Sequence, residues 1–285
     1  MHKRNIVIAP CGNKSYLFEE AWLKNKEERN FDICLLFYHE HINNQDVVKS
    51  VDHFYHLKDF KYKMIFTLLT KINPEWLQHY DYFYFLDDDI YIDTESINQL
   101  FNLSKAFDTS ISCAALSADS FCSWPIFKQD PTAFLRYVGQ IEVMAPLFNS
   151  QTLKLMLPTF VENKSSWGID SVWSKLLNYP KNKMVIFDTV VMKHTLPVGG
   201  GELYLKIGVS PHDEWASIVD RYGAKMENFV EYGRLKYLST ENSIPYSIKN
   251  SISRGFSQIT KKMRDYDLLS RIKNRLGFLS GKKII

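Results

Sequence analysis

The sequence lacks several patterns that would assign it to a common functional class. Its 285 residues include four cysteines, with no CxxC pair and no metal-finger spacing, which favours buried or free thiols in a reducing compartment. Residues 5–15 contain no GxGxxG, so a Rossmann oxidoreductase is disfavoured. An EF-hand loop starting at Asp87 is excluded, because Ile92 and Asn98 stand where that loop needs Gly and Glu.

Long hydrophobic runs are also missing. The segment MHKRNIVIAPCG has only about six apolar positions before Cys11, too few for a signal-peptide core. No other run approaches the roughly 20 residues that a membrane helix needs. We therefore expect a cytoplasmic protein. Hydrophobic residues still make up 45% of the chain and aromatic residues 14%, enough to pack a large α/β core.

The most informative stretch is YDYFYFLDDDIYID, residues 80–93. Residues 82–86 are an unbroken apolar and aromatic run, typical of a strand buried on both faces. Asp87, Asp88 and Asp89 follow at once, and such crowded like charge favours a bound divalent cation. Open α/β sheets bind ligands at the carboxyl ends of their strands, and hard oxygen ligands suit Mg²⁺ or Mn²⁺. An Asp-x-Asp placed here is the arrangement of nucleotide-sugar glycosyltransferases; the alternative is an acidic turn that caps a helix starting near Thr94.

Short apolar runs alternate with helical stretches and predict an α/β fold. The predicted strands are residues 5–10, 31–38, 82–86, 110–116, 139–148 and 184–192. Residues 117–138 carry turn signals and several aromatic residues, and we expect an acceptor-facing surface there. Residues 206–240 are expected to be helical packing material.

Three isolated polar residues beside these elements admit two explanations each. Glu142 lies in a predicted strand and needs a hydrogen-bond partner, either in the protein or on a substrate. Asp170 stands at the N-cap position of a helix expected from Ser171, and capping alone would explain it. His194 follows a strand, where a lone histidine is more often structural than a ligand.

The C-terminal segment differs from the rest in charge. The chain carries a net charge of +3, but residues 249–285 carry +8, which leaves −5 for residues 1–248. Apolar residues recur there at spacings of three or four, which predicts a basic amphipathic helix. The stripe comprises Ile252, Phe256, Ile259, Met263, Tyr266, Leu269, Ile272 and Leu276. Such a helix suits an anionic membrane surface, or docking on the body or on another subunit as in a homo-oligomer. Nucleic acid is disfavoured, because the body is acidic.

Five motifs, taken in order, resemble the domain-of-unknown-function 707 family, whose members look like glycosyltransferases of the GT-A fold. They are IAPCGNK, YDYFYFLDDD, GQIEVMAPLF, WGIDSVW and DTVVMKHTLPVG, and the resemblance spans roughly residues 3–225. Family members often have Asp-Glu-Asp at residues 87–89, so the outer carboxylates are kept here. The resemblance implies one GT-A (Rossmann-like) domain with a mixed central sheet, which we expect over residues 1–240. The tail lies outside the resemblance, and its basic amphipathic helix is expected over residues 241–285 from the sequence pattern alone.

The resemblance also implies roles for individual residues. Asp87, Asp89 and His194 would hold Mn²⁺ or Mg²⁺, and Asp170 would be the catalytic base. The residues assigned to the nucleotide sugar are Pro10, Gly12, Lys63, Asp87 and Asp88, and those assigned to the acceptor are Glu142 and Trp167.

The expected function is therefore an inverting, metal-dependent transfer from a nucleotide-diphosphate sugar, such as a UDP-sugar, to a saccharide or lipid-linked saccharide. The setting suggested by the composition is bacterial surface polysaccharide synthesis, with peripheral membrane contact through the tail. Two alternatives stay open. A retaining transferase would use no dedicated base, and a non-catalytic GT-A-like scaffold would bind carbohydrate without turnover.

Overall fold

The computed structural model describes residues 4–197, 208 and 210–237. Residues 1–236 cluster into one compact unit. The tail predicted for residues 241–285 lies outside the described residues. In the described part of the chain, each helix is too short or too polar to span a bilayer.

A mixed central sheet organises the described residues. Its strands are β1 Asn5–Cys11, β2 Asp32–Phe37, β3 His53–His56, β4 Tyr82–Phe85, β5 Ile90–Tyr91, β6 Ile111–Leu116, β7 Ala133–Val138, β8 Leu147–Asn149, β9 Met184–His194 and β10 Glu231–Lys236. The order is β10-β7-β9-β6-β8-β4-β1-β2-β3, and β5 pairs with β9 off this path. Strands β3, β2, β1 and β4 are parallel neighbours, whereas β8 pairs antiparallel with both β4 and β6. The expected α/β class with a mixed sheet is confirmed.

Strand β4 lies in the middle of the sheet because its sequence leaves neither face for water. Phe83, Tyr84 and Phe85 have no exposed surface, and Tyr82 is 8% exposed. The strand pairs with β1 on one side and with β8 on the other. Parallel β1, β2, β3 and β4 end at one edge of the sheet, so the Asp residues that follow β4 lie at that edge.

The described residues contain seven α-helices. They are α1 Asp46–Ser50, α2 Lys61–Thr67, α3 Trp76–His79, α4 Thr94–Ala106, α5 Ser150–Met156, α6 Ile169–Leu176 and α7 Pro211–Tyr222. Of these, α2, α4 and α5 contact strands of the sheet. Helix α4 begins near Thr94 as predicted, and its cap is Asp93, whose carboxylate accepts a hydrogen bond from the Ser96 N–H at 2.7 Å. The triplet of Asp residues therefore does not cap this helix, and the capping explanation for it is wrong.

Two regions differ from the sequence-based expectation. Residues 139–148 do not form one strand, because β7 ends at Val138 and β8 starts at Leu147. Glu142 consequently lies in the connection between them. Residues 206–240 contain helix α7, but they also supply β10, an edge strand that pairs with β7. Its residues are half-buried to exposed, so the sequence shows no strong apolar signal for a strand.

Candidate functional site

A pocket of about 980 Å³ collects most of the residues that the sequence singled out. Those lining it are Pro10, Asp87, Asp88, Asp89, Glu142, Trp167, Asp170 and His194. Gly12 and Lys63 are not among the residues that line it. The pocket is of the size that small-molecule and cofactor sites generally have.

Asp88 is held by side chains from the ends of β1 and β2. Ser15 Oγ donates a short hydrogen bond to Asp88 Oδ2, and Tyr38 OH donates to the same oxygen at 3.3 Å. Burial raises the pKa of Asp88 to about 6, and the charges of its two Asp neighbours add to this rise. Gly12 orients the Ser15 hydroxyl, because its backbone N–H donates a hydrogen bond to Ser15 Oγ at 2.8 Å. A Cβ at Gly12 would lie 2.5 Å from Tyr38 OH, so a larger residue would push that side chain away.

Lys61 forms an ion pair with Asp87 of the acidic triplet, whereas the sequence had pointed to Lys63. Lys61 Nζ donates to Asp87 Oδ1 at 2.6 Å and to the Met144 carbonyl at 2.8 Å. It also reaches the carbonyls of Val143 and Phe85, at 3.1 and 3.3 Å. Burial raises the pKa of Asp87, and the ammonium of Lys61 opposes that rise. Both lysines lie in the first turn of α2, so composition alone could not separate them.

Lys63 points elsewhere. Its Nζ lies over the ring of Phe60, 5.8 Å from the ring centroid. Lys61 lines the pocket, as does Lys58. That Lys63 binds a diphosphate therefore stays a prediction, and no contact between Lys63 and the acidic triplet supports it among the described residues.

His194 is the last residue of β9 and faces Asp89. Its Nδ1 lies 3.1 Å from the Phe121 carbonyl, which can only accept, so Nδ1 carries a proton. This leaves Nε2 facing Asp89 Oδ2 at 3.1 Å. Burial, the largest single effect, lowers the pKa of His194, but the hydrogen bond with Asp89, the charges of Asp89 and Asp87 and the contact with the Phe121 carbonyl together raise it overall. A proton and a metal ion would compete for Nε2, and a backbone carbonyl on the other ring nitrogen is the usual support of a metal-binding histidine.

The donor set suits a hard divalent cation. Asp89 Oδ1 is buried and has no hydrogen-bond partner, which is costly unless a ligand satisfies that oxygen. In the described residues, no group of three or more His, Cys, Asp or Glu side chains is arranged to hold a metal ion. Mg²⁺ typically binds through one or two carboxylates and completes its shell with water and substrate phosphate. Asp89 fits that pattern, and His194 would add a nitrogen ligand, so the metal site of Asp87, Asp89 and His194 stays a prediction.

Asp170 does not cap α6, contrary to the expectation. The N-cap residue is Gly168 with φ of +86°, and Asp170 is the second helical residue. Its carboxylate accepts a hydrogen bond from the Ser171 N–H at 3.0 Å. Asp170 is only 7% exposed. Burial raises its pKa to about 6, and the hydrogen bond from the Gln140 side chain limits that rise. A buried carboxyl with a pKa close to neutrality is suited to accept a proton.

Glu142 shares the pocket with Asp170 and is coupled to it by charge. Burial raises the pKa of Glu142 to about 7, and the nearby charge of Asp170 is the next largest cause. Tyr62 lies among the carboxylates, and its OH donates to the Val143 carbonyl at 2.6 Å. Burial raises the pKa of Tyr62, and the charges of Asp87, Asp170 and Glu142 raise it further. The two halves of the candidate site are therefore close enough to influence one another.

Aromatic residues line another part of the pocket. They include Trp167, which was assigned to the acceptor, and Trp124, which lies within residues 117–138, where an acceptor-facing surface was expected. Trp215 and Phe229 also line it and were not expected there. Trp215 and Phe229 come from the region expected to be packing material. No signal local to the sequence marks them, because their place depends on how α7 and the segment before β10 pack against α6.

Comparisons with known proteins give a fold-level likeness only. No protein-family model and no curated protein matches this chain, so membership of the domain-of-unknown-function 707 family stays a prediction. A crystal structure of S. aureus TarS is similar at 10% identity and a TM-score of 0.46, covering 74% of this chain and 41% of that chain. A crystal structure of S. aureus TarS 1-349 is similar at 12% identity and a TM-score of 0.46, covering 77% of this chain and 71% of that chain. The complex of TarS 1-349 with UDP-GlcNAc is similar at 13% identity and a TM-score of 0.48, covering 77% of this chain and 65% of that chain. This chain thus spans less than half of the first of these, and TM-scores this low say nothing about activity.

Proposed function

We propose that this chain is a glycosyltransferase that moves a sugar from a nucleotide-diphosphate sugar to an acceptor hydroxyl. One observation carries the proposal. A single pocket joins an acidic triplet, which has an orphaned carboxylate oxygen on Asp89, to the buried carboxyl of Asp170. A cation site and a base with a raised pKa are the two groups that displacement of a diphosphate by a hydroxyl needs.

The donor is proposed to lie between the acidic triplet and the lysines that follow β1 and β3. Lys14 and Lys58 line this part of the pocket, and ammonium groups suit the charge of a diphosphate. Mg²⁺ or Mn²⁺, held by Asp89, His194 and Asp87, would supply positive charge beside the leaving diphosphate. Asp88, fixed by Ser15 and Tyr38, is suited to hydrogen-bond the nucleotide ribose.

Asp170 is proposed to accept the proton of the acceptor hydroxyl. As the hydroxyl oxygen bonds to the anomeric carbon, the bond from that carbon to the diphosphate oxygen breaks, and the nucleoside diphosphate departs. This single displacement inverts the anomeric centre. Glu142 is proposed to orient the acceptor by hydrogen bonding. General-base assistance contributes about 10² to 10⁴ in rate.

The test is a screen of nucleotide sugars with UDP, GDP, CMP and TDP carriers, read as released nucleotide with Mn²⁺ or with EDTA. Wild type is compared with Asp89→Asn and Asp170→Asn, and Asp220→Asn is the matched control, an exposed carboxylate on α7. Metal-dependent release that falls sharply in the Asp89 variant and persists in the control is the expected result. The anomeric configuration of the product, read by NMR, separates inversion from retention.

A different result would favour the non-catalytic scaffold. It would consist of no release from any donor, together with no shift in melting temperature on adding Mn²⁺ and nucleotides. The lipid-linked acceptor, the membrane contact of the tail and the polysaccharide pathway are further parts of this proposal.

A further inference from the structure

The order of strands divides the pocket into two chemically different halves. Strands β1, β2 and β3 lie on one side of β4, and β8, β6, β9, β7 and β10 lie on the other. Lys14, Lys58 and Lys61 occur in the connections that follow β1 and β3. The pocket-lining aromatic residues Trp124, Trp167, Trp215 and Phe229 all occur in connections between β6 and β10. The second set is called the aromatic wall below.

The aromatic wall is a continuous set of ring contacts. Trp124 stacks on Phe229, with ring centroids 4.4 Å apart. Trp215 contacts Trp124 and Trp167 edge to face, at 6.1 and 6.0 Å. Trp215 is buried, whereas Trp124, Trp167 and Phe229 are half-buried and so keep accessible surface in the pocket. Rings held in this way offer preformed apolar surface and lose little conformational entropy on binding.

Trp215 also ties the wall to the helix that carries Asp170. Its indole N–H donates to Ser171 Oγ at 3.0 Å, one residue beyond the proposed base. Its ring packs on Gly168, where an added Cβ would lie 2.3 Å from the Trp215 ring. The adjacent Glu214 accepts hydrogen bonds from the backbone N–H groups of Lys164 and Ser165, at 3.0 and 2.8 Å. Helix α7 thereby fixes the turn that leads into α6.

The wall selects its ligand by charge as well as by shape. Glu142 and Asp170 are the titratable carboxyls on this side of the pocket, and neither attracts an anion. No Lys or Arg lines this half among the residues that the structure describes. A pyranose ring offers an apolar C–H face for the indoles and hydroxyls for the carboxyls. A phosphate or uronate would meet these two carboxylates, and the cationic groups beside them, Lys61 and His194, are already engaged by Asp87 and Asp89.

We propose that the aromatic wall is the acceptor subsite and takes a neutral saccharide, with Trp124 and Trp167 against the sugar face and Trp215 positioning the wall beside Asp170. This inference rests on the proposed transferase function but is tested separately from it. It excludes acceptors whose attacking group belongs to an anionic unit, such as a polyol phosphate or a uronic acid.

The experiment uses saturation-transfer NMR on the full chain with methyl β-glucoside, lactose and chitobiose as neutral probes. Glucuronic acid, N-acetylneuraminic acid and glycerol phosphate are the anionic probes. The variants are Trp124→Ala, Trp167→Ala and the conservative Trp124→Phe. Tyr91→Ala is the matched control, an exposed aromatic residue outside the pocket lining. We expect saturation of neutral sugar ring protons in wild type and in the control, a loss of about tenfold in affinity in each Ala variant, and partial recovery in Trp124→Phe.

Kinetics with the donor found in the screen supply the second readout. Each Ala variant should raise the KM for the neutral acceptor by about tenfold and leave the KM for the donor within about twofold. Preference for an anionic probe, or equal KM changes for donor and acceptor, would overturn the inference. Sugar binding that depends on the two tryptophans, without any donor turnover, would preserve the subsite and refute the transferase function instead.

Discussion

Replacing Asp170 with Asn should stabilise the fold while it sharply reduces turnover. The pKa of Asp170 is raised from 3.8 to about 6 chiefly by burial. Between these two values the folded protein binds more protons than the unfolded chain, so the stability contributed by this group falls as the pH rises. Above about pH 7 the full penalty is present, and a rise of this size corresponds to about 3 kcal/mol. Below about pH 4 the penalty is nearly absent.

The Asn side chain is almost the same size, and its carbonyl oxygen can still accept from the Ser171 N–H. We therefore expect Asp170→Asn to raise the free energy of unfolding by up to about 3 kcal/mol at pH 8 and by less than about 1 kcal/mol at pH 4. The measurement is urea unfolding at both pH values. Asp220→Asn, an exposed control, should change stability by no more than about 0.5 kcal/mol at either pH.

Activity provides the other half of the prediction. Turnover should fall by about 10² to 10⁴ if Asp170 is the base. Removing its charge should also lower the pKa of Glu142, which burial and Asp170 together raise to about 7. If Asp170→Asn is less stable than wild type at pH 8, or is stabilised equally at both pH values, the buried negative charge of Asp170 does not destabilise the fold, and the reasoning is refuted.

The remaining predictions concern Lys61, Gly168 and Arg136, each tested by substitution. Lys61→Met should lower the free energy of unfolding in urea by about 2 kcal/mol or more, because it leaves Asp87 without its partner. Lys63→Met should lower it by only about 0.5 kcal/mol. Equal losses in the two variants would refute the different roles assigned to these lysines. Gly168→Ala should cost at least about 2 kcal/mol by thermal unfolding, since its φ is +86°, and an unchanged melting temperature would contradict this. Arg136→Met should lower the free energy of unfolding by about 3 to 5 kcal/mol, because it leaves the fully buried carboxylate of Asp188, which Arg136 binds at 2.9 Å, without its partner. Adding Asp188→Asn should recover part of this loss, and no recovery would contradict the reasoning.

The sequence was most informative where local pattern and fold coincide. The apolar run before Asp87 can only be a central strand, and the position of the triplet at the edge of the sheet follows from it. The place of Asp170 was misjudged by two positions, because Gly168 adopts the left-handed conformation and starts the helix earlier. A turn of that kind depends on the packing of Trp215 over the glycine, and no local pattern records such a contact.

The same reason explains the residues that sequence analysis did not find. Lys61 and Lys63 occupy the same turn of α2, and only the positions of distant carbonyls distinguish them. Trp215 and Phe229 reach the pocket from a region whose edge strand has half-buried and exposed residues. Contacts between segments far apart in the chain leave no periodicity to detect. The functional residues that the sequence did not reveal are therefore those whose position depends on contacts with a distant segment of the chain.

The carboxyls of the pocket make it a proton reservoir near neutral pH. Burial raises the pKa of Asp88 and of Asp170 to about 6, and that of Glu142 to about 7. In the presence of EDTA, so that no divalent cation accompanies it, a polyanion that enters beside them raises these pKa values further, and its binding takes up protons from the solution. In titration calorimetry, the observed heat of nucleotide binding should then vary with the ionisation enthalpy of the buffer. The slope of that variation counts the protons taken up, and it measures the coupling between ligand charge and the buried carboxyls without any turnover.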